Sequence, residues 1–320
     1  LKLAALKGAL RALCRSQPLN SIATTAVRAC LRAGGFEPGL VATKLRRVGG
    51  VWDRLPNGCI LRLWTEDDDL IPNEVFWRGW RGFEPETLPL FFELACGSRV
   101  TLDIGAHIGI YALSAAHANP HGRVYAFEAM PATCRRLERN IRLNQLSNLQ
   151  CVEGAVSDFD GSADFFYNTG LELNAEASLR ADCTGAFARF SSVGEICKTT
   201  VRVRTVDSFA RENCVSGIDL VKLDVEGAEP QALRGMVDVL RAERPTIVCE
   251  VLKGFGTEGQ VEEVLGHLGY RYYLLTRQGP LLRNRIQGQP EEQWHLRNYL
   301  LTTLSPDEVA ALRCSGGGKP

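Results

Sequence analysis

Thr101-Leu102-Asp103-Ile104-Gly105-Ala106-His107-Ile108-Gly109 is a short apolar run that enters a glycine turn, and Ile108 to Ala118 continues it with Ala, Leu and Ile at helical spacing. A strand, a tight turn and a helix in immediate succession set backbone N–H groups of a helix start facing a closely approaching ligand. Gly105 permits the turn, and Gly109 lets the helix lie close to the strand.

Downstream of this stretch, short apolar runs alternate with helical patterns, the signature of a parallel sheet with crossover helices. Val100 to Ile104 is the first strand and Arg123 to Phe127 the second; a helix opened by Pro131 carries Leu137, Ile141 and Asn144. Leu149 to Val156 reads as a third strand, Ile218 to Leu223 as a fourth and Thr246 to Val251 as a fifth. Helices are expected over Glu229 to Leu240 and Val261 to Leu268, with further strands over Tyr270 to Leu275 and Tyr299 to Thr303. The block 161–206 breaks the alternation: Phe165, Phe166 and Tyr167, then a Gly-, Asn- and Ser-rich loop, then the alternating run Thr200 to Val206. Short antiparallel strands and a surface loop, inserted into the α/β pattern, account for it. Upstream, Cys59 to Leu63 is strand-like and Phe76 to Phe92 is aromatic-rich and partly helical. The expected organisation is an N-terminal helical and mixed extension over 1–95, an α/β domain over 96–304 and a tail over 305–320.

The turn reads Asp-x-Gly-x-x-x-Gly, not the G-x-G-x-x-G of a nicotinamide site. Asp103 ends the first strand, where a carboxylate accepts a hydrogen bond from an ammonium such as that of a methionine moiety; it would repel a pyrophosphate. Glu128 ends the second strand, where an acid takes a ribose diol through paired hydrogen bonds. Taken singly, Asp103 also reads as a capping or turn residue and Glu128 as a solvated strand-end acid. Two acids at matching strand ends around one glycine turn favour the cofactor reading.

Asp103 to Tyr111, then Ala126-Phe127-Glu128, then Asn140 to Asn144 resemble the FkbM family of methyltransferases. Ile218-Asp219-Leu220-Val221-Lys222-Leu223-Asp224-Val225-Glu226-Gly227-Ala228-Glu229 resembles that family's second signature, with Thr205-Val206-Asp207-Ser208 ahead of it. Gly82-Phe83-Glu84-Pro85-Glu86 resembles the Glu-Pro element that precedes the cofactor motif. The likeness implies a Rossmann-like class I methyltransferase fold, with a mostly parallel seven-stranded sheet flanked by helices. It also implies S-adenosyl-L-methionine as donor and, most often, O-methylation of a hydroxyl. Carried over residue by residue, the cofactor contacts are Asp103, Gly105, Ala106, His107, Gly109, Glu128, Ala129 and Asp224. Val156 and Ser157 join them by position, at the third strand end where such folds hold adenine. The chain departs from the family at His107, usually Asn, and at Ala129, usually Pro; His107 is also a candidate base.

Lys222, Asp224, Glu226 and Glu229 gather where the fourth strand meets a helix, at the edge where open α/β sheets bind ligands. Methyl transfer from a sulfonium is an in-line displacement that aligns donor and acceptor and, for a hydroxyl, removes a proton. Asp224 is the first candidate base, with Glu226 and Glu250 as further catalytic acids, provided burial raises a carboxyl. Glu226 and Glu229 also suit a helix start electrostatically. Asp224 with Glu250 is a candidate divalent-cation pair, but no ligand spacing in the sequence supports a metal.

The 320 residues carry no net charge and no basic stripe, which argues against nucleic acid. The expected acceptor is a small molecule, glycan or lipid, with Glu84, Trp80 and Phe83 as candidate contacts; the aromatics read equally as a cover for the sheet. Eleven scattered cysteines without a C-x-x-C pair point to a reduced, cytoplasmic protein. No apolar stretch reaches the ~20 residues of a membrane span. Leu3, Leu6, Leu10 and Leu13, amid Lys2, Lys7, Arg11 and Arg15, outline a basic amphipathic helix that packs on the domain or touches a membrane surface. A cofactor-binding scaffold without activity is the other reading; an NAD-dependent oxidoreductase lacks its turn.

Overall fold

The computed structural model describes residues 17–66, 69–169, 177–182, 194–293 and 295–315. The basic helix expected around Leu3 to Leu13, most of the loop inside the 161–206 block and the glycine-rich end of the chain lie outside them. The chain divides into two compact units, Leu1–Phe83 and Glu84–Pro320. The division falls ahead of the expected boundary at 95 because the helix Leu88–Ala95 packs on the helix Ile110–Ala118, with Phe91 and Tyr111 edge to face at 5.0 Å.

In the first unit, helices Gln17–Ala33, Gly39–Lys44 and Leu70–Arg78 accompany an antiparallel hairpin of β1 (Val48–Arg54) and β2 (Ile60–Glu66). Asp69 caps the third helix, accepting from the Ile71 N–H at 2.8 Å. Phe76 and Trp77 stack edge to face, with the Arg28 and Arg47 guanidinium groups over the Phe76 ring. Phe76, Trp77 and Trp80 are buried.

The second unit is built on an eight-stranded sheet. Its strands are β3 (Val100–Ile104), β4 (Arg123–Glu128) and β5 (Leu149–Glu153), then, after the insertion, β9 (Ile218–Leu223), β10 (Thr246–Glu250), β11 (Arg271–Thr276), β12 (Gly279–Arg283) and β13 (Asn298–Thr302). The insertion supplies β6 (Ala155–Val156), β7 (Gly161–Asn168) and β8 (Ile196–Arg204) as a separate three-stranded sheet, ordered β6-β8-β7. The main order is β12-β11-β13-β10-β9-β3-β4-β5. The run β10-β9-β3-β4-β5 is parallel, and β13, β11 and β12 complete the sheet antiparallel. Parallel strands covered on both faces read as near-continuous apolar runs, and every residue of β3 is buried, the polar Thr101 and Asp103 included.

The expected seven strands become eight. Pro280 masks the extra one, which forms a hairpin with β11 at the edge of the sheet, where a proline is tolerated and where Leu281 and Leu282 stay exposed. The third strand ends at Glu153, and Ala155–Val156 turn away to pair with β8. The helix expected over Glu229 to Leu240 is two helices, Glu229–Arg234 and Val237–Ala242. The break is at Gly235, where a Cβ would meet the Ser157 carbonyl oxygen at 1.9 Å. Asp207 starts the second helix from outside, accepting from the Asp238 and Val239 N–H groups at 3.1 Å each. Thr205 caps its own helix through Ser208 N–H at 3.0 Å, so the Thr-Val-Asp-Ser signature is a pair of helix caps. No helix among the described residues is long and apolar enough to cross a membrane.

Candidate functional site

The register places Asp103 beside Ala126 of β4 and Lys222 of β9, so the carboxyl ends of β10, β9, β3 and β4 lie side by side. At Gly105 the backbone has φ +83°, and an added Cβ would lie 1.7 Å from the Asp224 carbonyl oxygen. Only glycine fits where the turn after β3 crosses the turn after β9. Gly105 and Ala106 both donate to the Phe127 carbonyl, at 3.0 and 2.9 Å, which ties the turn to β4. Asn140, from the helix Pro131–Asn144, holds it from the other side by donating to the Ile108 carbonyl at 3.0 Å.

Asp103 is buried and accepts from the Ala112 N–H at 2.8 Å, in the first turn of the helix Ile110–Ala118. The helix-capping role weighed for it is therefore present. Burial pushes its carboxyl up to about 7, against the pull of Lys222 and the Ala112 N–H. Glu128 is buried too, and its two oxygens accept from the His107 N–H at 2.9 Å and the Met130 N–H at 2.8 Å. The solvated-acid reading of Glu128 does not describe it: this carboxylate braces the turn, and burial raises its pKa. His107 has φ +50°, in the left-handed region where Asn and His are enriched among side-chain-bearing residues.

The second acidic cluster sits on the neighbouring strand ends. Lys222 is 1% exposed, donates to Asp224 Oδ2 at 2.8 Å and lies 5.0 Å from the centre of the Tyr111 ring. Burial opposes the charge on Asp224, yet Lys222 and Arg297 outweigh it and hold the carboxyl below its ordinary value. The upward shift expected of a base falls instead on Glu250, 1% exposed and raised well above its ordinary value by burial. Glu250 Oε1 pairs with Arg297 Nε at 2.6 Å, and a side-chain hydrogen bond joins the raised Glu250 carboxyl to the ionised Asp224. Carboxylate oxygens of Asp224, Glu226 and Glu250 lie within 4.8 Å of one another, a juxtaposition the linear spacing concealed.

Glu229 Oε1 accepts from the Val225 and Gly227 N–H groups, both at 3.1 Å, and Ser178 Oγ donates to the Glu226 carbonyl at 2.9 Å. Glu229 is a buried brace of this turn, pushed up to about 7 by burial. Glu226 itself holds φ +53°.

Glu84 is a junction that sequence reading placed only as an acceptor contact. Tyr111 donates its hydroxyl to Glu84, Asn298 Nδ2 donates to Glu84 Oε2 at 3.1 Å, and Arg297 approaches Oε1 at 3.4 Å. Arg297 and Asn298 were missed because they arrive at the start of the antiparallel strand β13, Arg297 just ahead of it and Asn298 as the register partner of Glu250. No local pattern announces them.

The remaining candidates are scattered. Ala106 and Ala129 are buried beside the turn, and Val156 and Ser157 are buried where β6 leaves the main sheet. Trp80 and Phe83 belong to the first unit, Trp80 fully buried with its backbone N–H on Asp53 Oδ2 at 2.5 Å.

The family model described as the methyltransferase FkbM domain matches residues 103–272. Methyltransferase sdnD of Sordaria araneosa is 28% identical over 212 residues, covering 60% of this chain and 77% of its own. The 31-O-demethyl-FK506 methyltransferase FkbM of Streptomyces tacrolimicus is 30% identical over 201 residues, covering 57% of this chain and 75% of its own. The 2-O-methyltransferase NoeI of Sinorhizobium fredii is 28% identical over 149 residues, covering 45% of this chain and 60% of its own.

Proposed function

This chain belongs to the methyltransferase FkbM domain family and is a methyltransferase, and we propose that it transfers a methyl group from S-adenosyl-L-methionine to a hydroxyl oxygen of a small-molecule, glycan or lipid acceptor. The observation that carries the reading is the alignment of Asp103, Glu128, Asp224 and Glu250 along one carboxyl edge of β3, β4, β9 and β10. The donor set suits the cofactor. Asp103 is a buried carboxyl that, once ionised, carries the charge an ammonium needs. Glu128 accepts from the His107, Met130 and Ala129 N–H groups and, with about four lone-pair sites, keeps acceptor capacity for a ribose hydroxyl. Ala129, Val156 and Ser157 are assigned to the adenosine side on their position.

The bound cofactor supplies an electrophilic methyl group on its sulfonium. The acceptor oxygen forms the new O–C bond as the S–C bond breaks, and the hydroxyl proton leaves; the products are the methyl ether and S-adenosylhomocysteine. Asp224, kept ionised by Lys222, is placed to take that proton, and Arg297 holds Glu250 beside it. Names of relatives support oxygen as the acceptor atom: two of those above are O-methyltransferases of their own substrates. The scattered pattern of the cysteines supports a reducing compartment.

The test pairs calorimetry with a labelled-methyl assay against cell extracts. S-adenosylmethionine binds, NAD does not, and labelled acceptor appears with S-adenosylhomocysteine. Binding without any product would leave only the inert scaffold. Glu128→Ala weakens cofactor binding by ~1.5–3 kcal/mol. It also lowers the melting temperature, because the His107 and Met130 N–H groups lose their acceptor. A lower melting temperature with unchanged affinity would make Glu128 a brace alone.

A further inference from the structure

We propose that Cys134 and Cys151 form a redox-modification site, a dithiol that closes to a disulfide and, in closing, loosens the strand end that carries Glu128. Both are free thiols. Their side chains are in hydrogen-bonding contact, Cys134 from the first turn of the helix Pro131–Asn144 and Cys151 from β5. β5 is the outer strand of the main sheet, so Cys151 is half-buried and open to solvent, whereas Cys134 is 3% exposed. A small oxidant therefore meets Cys151 first, and Cys134 is the resolving thiol.

The oxidant is a low-molecular-weight disulfide such as oxidised glutathione. The Cys151 thiolate attacks one of its sulfurs and expels one small thiol; the Cys134 thiolate then attacks the Cys151 sulfur and expels the other. Both protein thiols are oxidised to one disulfide, and the small disulfide is reduced to a pair of small thiols that carry the two protons away. The contact with Cys151 and then burial hold the Cys134 thiol far above its ordinary value. The reduced pair is therefore slow to react, and the first of these causes disappears once Cys151 is itself bonded.

Cys134 Sγ donates to the Glu128 carbonyl at 3.1 Å, a bond that a disulfide sulfur cannot make. The two sulfurs must also close to about 2.05 Å. β4 holds β5 in register from Leu149 to Glu153, so the helix start is the element that shifts. That start bears Met130, whose N–H donates to Glu128 Oε1 at 2.8 Å. The Gly154 N–H stays on the Glu128 carbonyl at 2.8 Å, so the strand end is loosened and not released. The effect on the cofactor rests on the methyltransferase reading, in which Glu128 takes the ribose. Linkage is reciprocal, so cofactor bound to the reduced form protects the thiols by the same factor.

The experiment equilibrates the full chain in glutathione buffers from fully reduced to fully oxidised. Disulfides are mapped by mass spectrometry, cofactor affinity is read by calorimetry, and hydrogen exchange over residues 127–134 is read without cofactor. Wild-type chain forms the Cys134–Cys151 bond, exchanges faster over 127–134 and binds S-adenosylmethionine about fivefold or more weakly. Dithiothreitol reverses all three, and saturating cofactor moves the midpoint of oxidation to a more oxidising buffer. Cys151→Ser keeps its affinity and its exchange rate in every buffer. If that variant does not fold, Cys134→Ser decides, since its hydroxyl still donates to the Glu128 carbonyl. A chain that forms no such bond, that stops at glutathione on Cys151, or that forms the bond with exchange unchanged overturns the site. Faster exchange on oxidation in a chain that binds no S-adenosylmethionine in either form supports the site and overturns the cofactor reading instead.

Discussion

Asp103→Asn binds S-adenosylmethionine at least ~100-fold more weakly than wild type, a loss of about 3 kcal/mol, because a charge-assisted bond to the cofactor's ammonium becomes a neutral one in a buried site. Asn retains an oxygen for the Ala112 N–H, so the cap on the helix Ile110–Ala118 survives, which Ala would not allow. The pH dependence carries its own sign. With the folded carboxyl at about 7 and the unfolded one near its ordinary 3.8, the folded state holds the proton more tightly. The stability that Asp103 contributes is therefore full below about pH 4 and is lost as pH rises through about 7. Glu229, also at about 7, acts in the same direction. Asp103→Asn removes its share and flattens the decline of melting temperature between acid and neutral pH. Cofactor affinity runs the other way, since the ammonium requires the ionised carboxylate: it rises with pH up to about 7 and levels above. Calorimetry across that range checks both, and an affinity that ignores pH and the substitution would leave Asp103 as a helix cap only.

Asp224→Asn lowers turnover by ~10²–10⁴-fold, the range for losing a positioned proton acceptor. The same substitution leaves Lys222, 1% exposed, without its ion-pair partner at 2.8 Å. Breaking a buried pair on one side costs up to ~3–5 kcal/mol, less here because Asp224 is 23% exposed and partly screened. Activity and stability thus fall together, and the split between kcat and cofactor affinity separates the causes. A loss confined to kcat, with partial recovery in Asp224→Glu, marks an acceptor-side group. A parallel loss of S-adenosylmethionine affinity would assign Asp224 to the cofactor cradle instead.

The order of elements along the candidate edge was legible wherever local signals are strong. Asp103, Gly105 and Glu128 could be read because a strand end, a glycine turn and an acid are each short-range signals, and the sheet register puts them side by side. The insertion at 161–206 was recognisable from its break in periodicity, and β7 pairs with β8 as antiparallel alternation requires. Other features had no local signal. Gly235 ends a helix because the Ser157 carbonyl lies against it, and β12 hides behind Pro280. The acid expected to be the raised base is the one held low, since Lys222 of β9 and Arg297, just ahead of β13, both face it. Burial and partner charge set a pKa, and neither is written in the neighbouring residues.

The turn from Thr101 to Gly109 thus determined by itself that a strand feeds a helix through a glycine and that acids end adjacent strands, because backbone conformation and strand period are local properties. Only the tertiary structure decided what those acids do. It made Asp103 a helix cap as well as a candidate ammonium partner and gave Glu128 two backbone N–H groups to hold. It also drew Glu250, Arg297 and Glu84 around Asp224 from segments up to 213 residues apart. The reason is physical: charge pairing, desolvation and ligand geometry depend on distance in space, and the parallel crossovers and the antiparallel return of β13 are what create that distance.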